Sequence, residues 1–139
     1  MASFETINIP QKPPMVMVDK LIRAEEGIME TTFLIRRDNV FCDDGTFTEA
    51  GLVENMAQTA AAGVGSKPDF SKKEAPVGFI GGIRNLKIFR YPVAGDELTT
   101  RITIEHEVFN ASVVLGEVFL NNELVASCQL KIFLVQPDA

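Results

Sequence analysis

A carboxylate and a carboxamide four residues apart, Glu54 and Gln58, stand in the run ENMAQTAAAGVG, where almost everything else is apolar or small. On a helix that spacing stacks the two side chains on one face. Leu52, Val53, Met56, Ala57, Ala60, Ala61 and Val64 leave little polar surface, so such a helix is expected to be buried nearly all round. An unpaired buried carboxylate is costly. Glu54 must therefore be hydrogen-bonded, kept protonated, or turned toward a solvent-filled slot. A desolvated glutamate suits a general acid; the alternative is a structural carboxylate bonded to loop amides. Gln58 reads as support for Glu54 rather than as a reacting group.

The elements that must position this pair follow from the flanking sequence. Thr46 to Gly65 reads as one helix, with Thr46 and Glu49 at capping-box spacing and Gly63 and Gly65 offering a stop. Ahead of it, Asp38 to Gly45 is a loop, Ile28 to Arg36 is β-like, and Gly27 marks a turn. Met15 to Leu21 is either a turn of helix or the start of a strand, and the prolines before it break regular structure. After the helix, SKPDFSKKEAP is a polar connection and the longest candidate for a mobile segment. From Val77 onward the chain reads as strands. Ile83 to Arg90 alternates, a turn forms around Pro92 and Gly95, and Leu98, Thr100, Ile102, Ile104, His106 and Val108 share one strand face. Ser112 to Leu120 returns, Asn121-Asn122 turns, and Leu124 to Val135 closes the run. A long apolar helix followed by a meander of antiparallel strands is satisfied by an α+β hotdog fold, a sheet wrapped around the helix. One sheet cannot cover so apolar a helix, so a homodimer joined along a sheet edge is expected.

With 139 residues the chain is read as one domain, 1–139. A net charge of −6 speaks against nucleic acid as a partner. No apolar run approaches the roughly 20 residues of a membrane span, and no basic-then-apolar leader opens the chain. A cytoplasmic protein is expected. Cys42 and Cys128 form neither a disulfide framework nor a zinc spacing, and no metal or cofactor is expected. Between residues 67 and 90, Lys67, Lys72, Lys73, Arg84, Lys87 and Arg90 face only Asp69 and Glu74. That cluster is either a solvated strand face and loop or a docking patch for an acidic partner.

Four stretches in order carry a resemblance: IPQKPPMVMVDKL, ENMAQTAA, GFIGGIRNLKIFRYPVAGDEL and NNELVASCQLKIFL. Together they resemble the bacterial 3-hydroxyacyl-ACP dehydratases of the hotdog superfamily. Those enzymes carry Gly-His-Phe-Pro ahead of the helix, and its histidine pairs across the dimer with the helix carboxylate. Here NVFCDDGTFTEAG holds no histidine, and Val40 stands where it would fall. The loop is more similar to that of the variant dehydratases of aryl-polyene-type pigment clusters, which keep an opening Pro-His; this chain has Gln11 there.

The resemblance implies an acyl substrate linked through phosphopantetheine to an acyl carrier protein, bound in a tunnel at a dimer interface and dehydrated to a trans-2-enoyl thioester. Dehydration needs a base for the α-proton, an acid for the leaving hydroxyl and donors at the thioester carbonyl. Glu54 is the candidate acid. Helix-start amides from Glu49 to Leu52, Gly51 among them, could hold the carbonyl. The single histidine, His106, is in phase with an apolar strand face and reads as a core or interface residue. Asp43 or Asp44, in the loop expected over the tunnel mouth, could act with Glu54 as a carboxylate pair; otherwise DDG is a tight turn. Arg84, Lys87 and Arg90 with Lys72 and Lys73 would dock the carrier. Two alternatives stand beside the dehydratase: an inactive thioester-binding or partner subunit, and an acyl thioesterase.

Overall fold

The computed structural model describes residues 7–67 and 77–135. Its elements are β1 (Lys20–Glu25), β2 (Ile28–Leu34), β3 (Cys42–Asp43), β4 (Thr46–Phe47), α1 (Glu49–Gly65), β5 (Val77–Ile88), β6 (Glu97–Val108), β7 (Ala111–Leu120) and β8 (Glu123–Val135). Six strands form one antiparallel sheet in the order β1-β2-β6-β7-β8-β5. The helix α1 packs on one face of this sheet and touches all six strands. Register shifts in β1, β5, β6 and β8 bend the strands, which lets one sheet follow one helix. This is the expected hotdog arrangement. The core lies between helix and sheet, built on Met17, Phe33, Phe47, Leu52, Met56, Leu98, Ile102, Val114, Val118 and Leu130.

The strands follow the period-two pattern closely. Leu98, Thr100 and Ile102 of β6 are buried, as are Val114 and Val118 of β7 and Ala126, Cys128, Leu130 and Ile132 of β8. His106 departs from it. A bulge between Ile104 and His106 shifts the alternation by one residue, and the imidazole stands exposed on the far end of β6 instead of in the core.

The helix differs from expectation at its start. Thr46 belongs to β4, paired with Asp43, so the predicted capping box does not form. Thr48 is the N-cap and makes no side-chain cap; its hydroxyl donates to the Phe41 carbonyl at 2.7 Å. The helix ends at Gly65 as expected, and Gly63 and Gly65 have a further role. They are places of close approach, where a Cβ would collide with the Met29 side chain at Gly63 and with the Asn8 carbonyl oxygen at Gly65. The helix is not buried all round. Ala50 is exposed, and Val53, Glu54, Ala57, Ala61 and Val64 are only partly covered, forming one open stripe. The predicted mobile connection, with Lys72 and Lys73, falls mainly on residues 68–76 and lies outside the described residues.

Candidate functional site

Glu54 sits on the second turn of α1, within the half-open stripe. Gln58, fully buried, lies one turn further on. Its Nε2 donates to Glu54 Oε2 at 2.7 Å and to the Met15 carbonyl at 2.8 Å, while its Oε1 accepts from the Met17 amide at 2.6 Å. The proline-broken segment before β1 cannot join the sheet there, so its backbone groups need side-chain partners. Gln58 supplies two of these bonds, to Met15 and Met17, and the carboxamide is thereby fixed against Glu54. Asn55 completes the clamp. Its Nδ2 donates to the Met17 carbonyl at 2.8 Å and its Oδ1 accepts from Thr100 Oγ1 at 2.5 Å. Thr59 bonds back to the Asn55 carbonyl and meets Thr31 at 2.7 Å. These buried polar groups satisfy one another and pin α1 to β2, β6 and the leading segment.

Two spaces meet at Glu54. A partly enclosed, mostly apolar cavity of about 80 Å³ runs along α1 past Ala57, Ala60, Ala61 and Val64, under Phe79, Ile80, Val114 and Ile132 of the sheet. Pro10 and Gln11 also line it. Among the described residues the polar side chains on its wall are Glu54, Gln11 and Ser112, and Glu54 is the one carboxylate. A second, open groove lies at the start of α1, lined by Phe41, Thr48, Glu49, Ala50, Val53, Glu54, Ile83 and Leu86. First-turn amides of a helix lack intrahelical acceptors, and here no Thr48 side chain covers them. Glu54 thus stands between a groove beside helix amides and an apolar pocket.

The other sequence candidates are placed as follows. Gly51 faces the Phe47 ring, where a Cβ would come within 2.6 Å, and Phe41; it serves packing and lines neither space. Asp43 and Asp44 are exposed on the β3–β4 turn, and Asp44 pairs with Arg37 at 2.9 Å. The structure does not bring either aspartate to Glu54. Asp44 has φ 48° and Gly45 φ 82°, so the DDG run is a tight turn. Val40 is half exposed. Arg84, Lys87 and Arg90 are exposed along and just past β5, with Arg90 4.0 Å from Glu123. Burial pushes the Cys128 thiol up to about 11 and raises Cys42 as well, the latter opposed by Arg37. Among the described residues no group of His, Cys, Asp or Glu could hold a metal ion, and no helix is long and apolar enough to cross a membrane. Sequence reasoning missed Asn55 and Thr59. Two further polar residues inside an apolar helix, three and one positions from Glu54's partner Gln58, were the available signal.

A sheet wrapped on one helix, with a carboxylate at the mouth of an apolar pocket, defines a hotdog protein of the dehydratase-like class. The chain belongs to the ApeP-like family, described as ApeP dehydratase, which it matches over residues 6–139. Relatives include the 3-hydroxyacyl-[acyl-carrier-protein] dehydratase FabZ of Clostridium botulinum (strain Okra / Type B1), 30% identical over 102 residues, 69% of each chain. FabZ of Clostridium botulinum (strain Loch Maree / Type A3) is 27% identical over 128 residues, 88% of this chain and 87% of that one. Among solved structures, the dehydratase heterocomplex ApeI:P from Xenorhabdus doucetiae superposes with a TM-score of 0.83 at 19% identity, covering 94% of this chain and 89% of that one. A hypothetical thioesterase with coenzyme A from Streptococcus pneumoniae TIGR4 gives 0.66 at 12% identity, covering 86% and 87%. At these identities the structural likenesses speak to the fold alone.

Proposed function

We propose that the chain is a dehydratase subunit acting on 3-hydroxyacyl thioesters of an acyl carrier protein in fatty-acid or polyene synthesis, with Glu54 as the proton-transferring group. The observation that carries this is the position of Glu54, held by Gln58 at the junction of the helix-start groove and the apolar cavity. In this reading the thioester carbonyl lies by the first-turn amides of α1 and the acyl chain enters past Ala57 and Ala61. The Glu54 carboxylate takes the α-proton, and that C–H electron pair forms the double bond between Cα and Cβ. The C–O bond to the 3-hydroxyl breaks, and the carboxylic acid just formed returns its proton to the departing oxygen. The products are a 2-enoyl thioester and water, and Glu54 is regenerated. Apolar walls limit competing water, and helix amides meet the charge that develops on the carbonyl.

A second reading has its own support. Among the described residues Glu54 is the one acidic or basic side chain on the cavity wall; the α1 stripe is half open, and the apolar residues Phe79, Ile80 and Ile83 of edge strand β5 are exposed. A second chain seated along β5 would cover both and could supply a base. We therefore propose a dimer joined at this edge, between two copies or with a homologue; a monomer by light scattering at micromolar concentration would contradict it. Its docking face for the acidic carrier is assigned to Arg84, Lys87 and Arg90, with Lys72 and Lys73. A cytoplasmic setting suits two free cysteines and a carrier-bound substrate.

The test is incubation of the purified chain with a 3-hydroxyhexanoyl carrier thioester. Enoyl absorbance without thiol release is expected. Thiol release would mean a thioesterase, and enoyl formation only after adding a homologous chain would establish the complemented subunit.

A further inference from the structure

Gln11 is a polar residue of the cavity wall that the chemistry above leaves unused. Its Oε1 is shut off from solvent and, among the described residues, has no hydrogen-bond partner. It shares the wall with Glu54, Ser112 and otherwise apolar side chains. A buried acceptor without a donor is destabilising and uncommon in folded proteins, so such an atom calls for an explanation. Contrast Gln58, whose amide satisfies three partners a short distance along the same helix face. Folding does not account for Gln11. A ligand that brings a donor would.

The substrate class proposed above, on which this inference rests, narrows the choice. Near its reacting carbons a 3-hydroxyacyl thioester has one hydrogen-bond donor, the 3-hydroxyl. The thioester carbonyl and sulfur only accept, and the alkyl chain does neither. We propose that Gln11 is the substrate-binding residue that recognises the 3-hydroxyl: its carboxamide, on the cavity wall, turns Oε1 out of its closed position to accept that hydrogen bond and hold the leaving oxygen in the space that Glu54 also faces. A carboxamide does not titrate in the working pH range, so Gln11 binds and orients while the proton traffic stays with Glu54. The enoyl product has lost the hydroxyl and with it this bond. Gln11 therefore favours substrate over product at the same site and helps release. A site built to hydrogen-bond a hydroxyl also discriminates strongly against an analogue lacking it, because the buried acceptor is then left unmatched.

Binding of 3-hydroxyhexanoyl-pantetheine and hexanoyl-pantetheine is measured by calorimetry on Glu54→Gln protein, which turns over neither, with and without Gln11→Met. With Gln11 present, the hydroxylated thioester is expected to bind about 10–50-fold more tightly. With methionine, a near-isostere that cannot accept strongly, the preference should collapse to within about twofold. A preference that survives Gln11→Met, or no preference in either protein, overturns the inference and leaves the dehydratase reading standing. Failure of both thioesters to bind overturns both. A second readout separates binding from structure. In otherwise wild-type, ligand-free protein, Gln11→Met removes an unmatched buried acceptor and should raise the thermal midpoint by about 2–6 °C. A fall would show that Gln11 serves the fold, and would refute the assignment.

Discussion

Replacing Gln58 by methionine keeps most of the side-chain volume and removes every hydrogen bond the carboxamide makes. The Met17 amide, bonded at 2.6 Å in a fully buried setting, is left without an acceptor. That alone costs about 1–3 kcal/mol. The Met15 carbonyl belongs to an exposed residue and can turn to water, so its loss adds little. Glu54 is half covered, and losing its 2.7 Å partner adds up to about 1 kcal/mol after solvent screening. The expected total is about 1–4 kcal/mol, or roughly 3–14 °C in thermal midpoint for a chain of this size. Urea unfolding followed by circular dichroism checks it, since the midpoint should fall while the slope stays unchanged. Dehydration should fall too, because the carboxylate is no longer oriented. A loss below about 0.5 kcal/mol would refute the claim that Gln58 clamps the leading segment.

Gly65→Ala should destabilise by about 1–3 kcal/mol in the same urea assay, although alanine is the better helix former, because the new Cβ meets the Asn8 carbonyl oxygen. The raised thiol of Cys128 implies an alkaline weakness. Its folded pKa of about 11 lies above the ordinary thiol value of 9.0, so the unfolded chain loses its proton first and stability falls by about 2–3 kcal/mol between those pH values. Cys128→Ala, whatever it costs at neutral pH, should flatten that part of the pH profile. Reversing Arg84, Lys87 and Arg90 to glutamate should weaken carrier binding at least tenfold at low salt and leave pantetheine substrates unaffected; wild-type binding that ignores salt would count against the docking face.

The sheet was legible because its signal is local. Strands β6, β7 and β8 alternate cleanly enough that their spans can be read within a residue or so, and Glu54 with Gln58 is visible from spacing alone. What escaped depended on contacts distant in sequence. The helix start moved from Thr46 to Glu49 because β3 and β4 pair in a two-residue ladder that no periodicity announces. His106 left the core through a bulge, which shifts alternation without marking the sequence. Asp43 and Asp44 carry the right chemical groups, yet their turn faces solvent. The role of Gln11 shows only once segment, helix and sheet enclose it beside Glu54.

The central claim is that Glu54 carries the proton in the dehydration. Glu54→Gln keeps the shape and can still accept from Gln58, but removes the group that titrates. Enoyl formation from a 3-hydroxyhexanoyl carrier thioester is expected to fall by about 10²–10⁴-fold while the thermal midpoint stays within a few degrees of wild type. Turnover that survives the substitution, accompanied by a marked loss of stability, would make Glu54 a structural carboxylate and contradict the claim.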